Sequence, residues 1–84
     1  MRNFTLLIDH HDRCLIFTVE TVYNDFLRET YYCVTLNEHA QFIVAWDEEK
    51  GSLAIQGPAP YIAKEVESML TASILYETLG GEID

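Results

Sequence analysis

The sequence predicts an α+β fold: an antiparallel β-meander of about five strands with one C-terminal α-helix packed across one face. Residues 3–56 divide into short segments rich in β-branched and aromatic residues, separated by polar turns. From residue 60 to residue 79, apolar residues instead recur at the period of an α-helix. Because 84 residues suffice for one small domain, we expect a single domain over residues 1–84, with the sheet at about 3–56 and the helix at about 60–79.

Five segments have the composition of strands. They are residues 3–9, 14–20, 30–36, 41–46 and 52–55. The polar stretches "HHDR", "NEHA" and "DEEKG" are predicted to be hairpin turns. The stretch "QGPAP" at 56–60 should end the sheet, because proline cannot donate a hydrogen bond to a neighbouring strand.

The strand pairing follows from the requirement that the large apolar side chains share one face of the sheet. The predicted pairs are Ile8–Leu15, Leu15–Leu36, Leu36–Phe42, Val34–Val44 and Trp46–Leu53. This pairing places Trp46 in the core, between Tyr32, Leu53 and the helix. It also places Gly51 near the end of its loop, where a positive φ is commonly needed.

The helix is expected to bury its more apolar side. Its predicted buried residues are Ile62, Val66, Met69, Leu70, Ser73, Ile74 and Tyr76. Pro60 suits the first helical turn, where its missing N–H is not needed. Leu75 is expected on the exposed side, and Glu65 at the flank of the apolar side.

The second face of the predicted sheet is unusually free of charge. One row across it reads Leu7, Ile16, Thr35, Ile43, and the next reads Thr5, Thr18, Cys33, Ala45, Ala54. A sheet face in contact with water normally carries polar side chains such as Lys, Glu or Gln. We therefore predict an interface on this face. Its candidate residues are Leu7, Ile16, Cys33, Thr35 and Ile43.

Two covers for this face are compatible with the sequence. Residues 21–29, "TVYNDFLRE", have apolar residues spaced for a helical turn and could fold over the face, although they could also simply extend the adjoining strands. The other cover is a second copy of the chain, packed sheet on sheet. Both covers remain open at this point, because small domains expose few large apolar patches.

Fourteen acidic and five basic residues give a formal net charge of −9. This charge repels phosphate backbones and anionic membranes, so we expect no nucleic-acid and no membrane partner. The remaining partner classes are a protein or a second copy of the chain. Cys14 and Cys33 lack metal-binding or redox spacing, and the chain shows neither a signal peptide nor an apolar run long enough to cross a bilayer. We therefore expect a cytoplasmic protein with reduced thiols.

The stretch "DHHD" at 9–12 is the one pattern that resembles a metal site, and His39 could add a third ligand from a neighbouring turn. Without a helical His pair or a Cys-x-x-Cys pair, the pattern favours a polar turn, so added zinc should leave the melting temperature nearly unchanged. No residue pattern indicates a nucleophile with an adjacent base or a phosphate-binding loop. The prediction is no catalytic site, no cofactor and no metal.

The predicted function is therefore non-enzymatic: a small protein-association module or homodimer that uses the outer sheet face. The alternative is an acidic inhibitor or immunity-type protein that binds a basic partner, such as a nuclease or a DNA-binding protein. Such binding would weaken steeply as the salt concentration rises.

Overall fold

A computed structural model describes residues 3–79, which form one antiparallel sheet and one helix. The elements are β1 (Asn3–His10), β2 (Arg13–Asn24), β3 (Glu29–Leu36), β4 (Ala40–Asp47), β5 (Ser52–Gln56) and α1 (Lys64–Leu79). The strands lie in the order β1-β2-β3-β4-β5, each antiparallel to its neighbours. The predicted α+β architecture, a five-stranded meander with a C-terminal helix, is confirmed.

The core lies between one face of the sheet, the inner face, and α1. Its buried side chains are Ile8, Phe17, Val19, Tyr32, Val34, Phe42, Val44 and Leu53 of the sheet, and Val66, Leu70 and Ile74 of the helix. Alternate residues of each strand enter this core, as the two-residue period of a strand requires. The rings of Phe17 and Phe42 meet edge to face with their centroids 6.5 Å apart.

The helix is shorter than predicted and is rotated about its axis. It begins at Lys64 rather than Pro60. Met69 and Tyr76, predicted to be buried, are 41% and 69% exposed, whereas Leu75, predicted to be exposed, packs against the core. The buried side is thus turned towards Thr71 and Thr78, two residues that the sequence pattern assigns to the polar side.

Hydrogen bonding explains why this threonine-bearing side of α1 can approach the sheet. The Thr71 hydroxyl donates to the Glu67 carbonyl at 3.0 Å, and the Thr78 hydroxyl donates to the Ile74 carbonyl at 2.8 Å. Each hydroxyl is satisfied within the helix itself, so its partial burial leaves no unpaired donor. With both hydroxyls hydrogen-bonded, the methyl groups of these threonines can be buried as apolar surface.

The first and last hairpins pair as predicted. Ile8 lies opposite Leu15, and Trp46 lies opposite Leu53. Gly51 has a φ of 65°, as expected for its place in the β4–β5 loop. In the first hairpin the loop is tighter than "HHDR" suggests, because His10 and Arg13 still pair and two residues remain between them.

The two middle pairings are wrong by two residues each. Leu36 lies opposite Phe17 rather than Leu15, and opposite Ala40 rather than Phe42. A shift of two residues leaves every side chain on its predicted face. The two shifts add, however, so β4 is displaced along β2 by four residues, or about 13 Å.

Two asparagines account for the observed registers. In the β2–β3 loop, the Asn24 side-chain oxygen accepts hydrogen bonds from the backbone N–H groups of Phe26 and Leu27, which closes the loop between Asn24 and Glu29. In the β3–β4 loop, Asn37 and the following residue have φ values of 50° and 66°, as in a type I′ turn. The β2–β3 loop is therefore shorter than the predicted segment 21–29, and the three-residue β3–β4 loop lies one residue earlier in the chain than the register prediction assumed.

Trp46 is not the core residue that the sequence predicts, because it is 55% exposed. By the alternation of β4, the Trp46 side chain belongs to the inner face. The pairing of β3 with β4 ends one residue before it, however, at Tyr31 and Ala45. The helix lies closest to β1, at the other edge of the sheet. Trp46 therefore extends past the part of the inner face that the helix covers.

Residues 21–29 form the end of β2, the turn that follows it and the first residue of β3. They do not fold over the outer face. Phe26 and Leu27, in this turn, are 93% and 58% exposed. Of the two covers considered for the outer face, the one from within the chain is therefore wrong. Among residues 3–79 there is no helix with the length and apolarity needed to span a membrane.

Candidate functional site

The outer face of the sheet, which points away from α1, carries all five candidate interface residues. Each of them occupies a strand position that alternates with the buried core positions. Leu7 is 68% exposed, and Ile16 and Ile43 are each 40% exposed. Within the described part of the chain, no other segment shields these three side chains from solvent.

The corrected registers divide the candidate residues among three rows. Leu7 pairs with Ile16 at the end of the sheet that carries the β1–β2 turn. Thr35 pairs with Thr18 and Gln41, in a row that also contains Thr5. Leu7, Ile16, Thr35 and Ile43 therefore do not form the single row that the sequence predicts for them.

Cys33 and Ile43 belong to the third row, where polar residues stand at the flanks. Cys33 lies opposite Glu20 on one side and Ile43 on the other, and Ile43 lies opposite Gln56. The prediction that Cys33 lies opposite Thr18 is wrong by two residues, as is the whole β2–β3 register. Both cysteines are free thiols.

The outer face has a shallow depression of about 470 Å³, which is lined by residues of β3, β4 and β5. Tyr31, Ile43 and Ala45 line it, together with the exposed Trp46. Acidic side chains also contribute to its wall, among them Glu29. The depression thus offers an apolar surface beside a negative charge.

The charges on the outer face have one sign. The acidic residues at outward-facing strand positions are Asp9, Glu20, Glu29 and Asp47. The basic residues among the described positions lie elsewhere: Arg13 at an inward-facing strand position, Arg28 and Lys50 in turns, and Lys64 in the helix. Over residues 3–79, therefore, no lysine or arginine stands at an outward-facing strand position.

A cluster of His10, His11 and Glu65 lies on the helix side of the sheet, where the β1–β2 turn meets the start of α1. His10 Nε2 donates a hydrogen bond to the Glu65 carboxylate over 3.3 Å, and the side chain of His10 is only 20% exposed. The rings of His10 and His11 lie 4.1 Å apart at 72°. One ligand atom from each of His10, His11 and Glu65 lies within 4.8 Å of the other two.

The electrostatics of this cluster centre on Glu65. The hydrogen bond from His10 is the main cause that holds the pKa of the Glu65 carboxyl below its ordinary value, and a backbone hydrogen bond at Glu65 itself is the second cause. A lowered pKa favours the ionised carboxylate, which is the form that binds a metal ion. His39, the third ligand considered from the sequence, is not a member of the cluster.

Glu65 is the residue that sequence reasoning did not connect to the histidines. The signal available was its place at the flank of the apolar side of the helix, which brings an acidic side chain to the border of the core. Its distance of 55 residues from His10 along the chain gave no indication of contact. No protein-family model, curated protein or solved structure matches the chain.

Proposed function

We propose that the protein is a non-enzymatic protein-association module that docks onto a partner protein through the outer face of its sheet. The observation that carries this proposal is the exposure of Leu7, Ile16 and Ile43 on a face that the described residues leave open. Each square ångström of apolar surface removed from water contributes about 25 cal/mol. Covering this face with apolar atoms of a partner would therefore stabilise a complex.

The charge on this face favours a basic partner over a second copy of the chain. In a two-fold symmetric homodimer the same face meets itself, so acids such as Glu20 and Glu29 would find no lysine or arginine at the outward-facing strand positions described for the second copy. A partner surface that carries both apolar and basic side chains complements both features of the face. This partner class is the one expected for an acidic inhibitor or immunity-type protein. The cytoplasmic location remains a prediction.

In-cell crosslinking from the outer face tests this proposal. A photoreactive amino acid replaces Ile43 in one variant and Ala72, at an exposed position of α1, in the control. We expect a crosslink to a partner with a basic surface from position 43 only. We expect Glu20→Lys to abolish this crosslink, because it reverses a charge that attracts the partner. Equal crosslinks from both positions, or none from position 43, would contradict the proposal.

Sedimentation of the purified protein at micromolar concentration distinguishes the basic partner from self-association. The expected wild-type mass is that of a monomer. A wild-type dimer that Ile43→Lys converts to a folded monomer would instead identify a second copy as the partner, because burying a lysine ammonium in a sheet-to-sheet contact is costly. That result would retain the outer face as the interface and reject the basic partner.

A further inference from the structure

His10, His11 and Glu65 bring three potential metal ligands together from two separate elements. His10 ends β1, His11 begins the β1–β2 turn, and Glu65 lies in the first turn of α1. Imidazole nitrogens and a carboxylate oxygen are the ligand types that zinc prefers alongside thiolate. This cluster is independent of the outer sheet face, so its function does not depend on the association proposed above.

The backbone of the β1–β2 turn is what places the two imidazoles side by side. His11 and Asp12 have φ values of 51° and 61°, and His10 still pairs with Arg13. The two-residue loop therefore reverses the chain immediately after His10, and His11 stays next to it. Histidine and aspartate tolerate this left-handed conformation better than most residues other than glycine.

The start of α1 supplies the third group. The backbone N–H of Glu67 donates to the Ala63 carbonyl at 2.9 Å, which sets the first helical turn. This turn holds Glu65 against His10, with 3.3 Å between the imidazole Nε2 and the carboxylate oxygen. In a tetrahedral zinc site with bonds of about 2.0–2.1 Å, neighbouring ligand atoms are about 3.3 Å apart. One of the three ligand separations already has this value. On binding, zinc takes the place of the proton on His10 Nε2, which is released or moves to Nδ1.

We propose that His10, His11 and Glu65 form a binding site for a divalent transition-metal ion of the zinc class. The other two separations both involve His11 and are at most 4.8 Å, and the exposed His11 side chain can shorten them by rotating. All three residues also line a cleft of about 340 Å³, whose floor includes Phe17 and Val66. Three protein ligands beside an open cleft leave a fourth coordination position for water or a small ligand.

Calorimetric titration of the untagged, chelator-treated protein with zinc chloride tests the site. The expected stoichiometry is one zinc ion per chain. Loss of a supporting residue around a zinc site already weakens binding 10–100-fold, so removal of a direct ligand in His11→Gln or Glu65→Gln should weaken binding by at least about tenfold. The matched controls His39→Gln and Glu48→Gln remove the same groups at exposed positions outside the cluster and should leave binding unchanged.

Thermal unfolding provides a second readout that does not depend on the heat of binding. Zinc at a hundred times its Kd should raise the unfolding midpoint of the wild type by several degrees, and the double variant His10→Gln/His11→Gln should lose this shift. Nickel should act like zinc, whereas magnesium and calcium, which require oxygen ligands, should not.

Three results would overturn the site. One is the absence of both heat and midpoint shift in millimolar zinc, which is the outcome that the sequence pattern alone favours. Another is full zinc affinity in a folded Glu65→Gln variant, because the helix would then contribute no ligand. The third is an equal loss of affinity in His39→Gln, which would indicate unspecific binding to surface histidines.

Discussion

Glu38 is held in a backbone conformation that its residue type disfavours. It follows Asn37 in the β3–β4 turn and has a φ of 66°, while the His39 N–H donates to the Leu36 carbonyl at 3.0 Å. A residue with a β-carbon is strained in the left-handed region, whereas glycine is not. The turn nevertheless forms, because asparagine at its first central position tolerates a positive φ.

Replacing Glu38 with glycine should therefore stabilise the protein. The variant creates an Asn-Gly pair, the preferred type I′ sequence, and we expect a gain of about 0.5–1 kcal/mol after the entropy cost of glycine. Chemical denaturation measures the difference. Glu49→Gly removes the same charge from a turn residue that is not among those with positive φ, and it should lower the stability. A loss in Glu38→Gly as large as that in Glu49→Gly would show that residue 38 is unstrained.

The strand registers show which parts of an element the sequence could specify. The hydrophobic pattern placed every candidate interface residue on the correct face, because a shift by one residue would expose the core. It could not detect a shift by two, which preserves the faces. That choice depends on turn chemistry, through the Asn24 side chain and the left-handed φ of Asn37. Both asparagines are visible in the sequence, but only their hydrogen bonds and dihedral angles reveal how tightly each loop closes.

The β2–β3 register can be tested with a disulfide. In a Cys14→Ser background, Glu20→Cys places a thiol directly opposite Cys33. Paired Cα atoms in antiparallel strands are about 4.5–5.5 Å apart, within the range that a disulfide spans. Oxidation should then remove both free thiols, as measured by thiol titration.

Thr18→Cys in the same background is the control for this register. Residue 18 lies opposite Cys33 in the register that the hydrophobic pattern predicts, but lies diagonal to it, at about 7–8 Å, in the observed one. We expect no disulfide within the chain from position 18. Rapid oxidation of Thr18→Cys, with two free thiols left in Glu20→Cys, would favour the predicted register.

At the scale of the whole molecule, the fold class was more predictable than either candidate site. Composition and periodicity report on local structure, and a meander places consecutive elements side by side, so local signals were sufficient. The contact between His10 and Glu65 depends on where the helix starts and how it is rotated, and both were wrong in the prediction. Likewise, Leu7, Ile16, Thr35 and Ile43, predicted to share one row of the outer face, lie in three rows, because β4 is displaced by four residues relative to its predicted position along β2.

The net charge of −9 is a property of the whole chain, and it should make folding depend on salt. At 0.01 M ionic strength the Debye length is about 30 Å, so acids repel one another across a domain whose radius of gyration is 12.6 Å. At 0.15 M it is about 8 Å, and most of this repulsion is screened. We therefore expect the melting temperature to rise by a few degrees between these sodium chloride concentrations.

A variant with fewer acids provides the control for this salt effect. Glu48→Gln/Glu49→Gln removes two exposed charges from the β4–β5 turn and should show a smaller rise in melting temperature. A melting temperature that falls with salt would mean that attractive ion pairs outweigh the repulsion.

The same salt series separates the two kinds of partner, because screening weakens attraction to a basic surface but favours contact between two acidic copies. An association that becomes tighter from 0.01 to 0.15 M would therefore reject the basic partner, even where it occurs through the outer face.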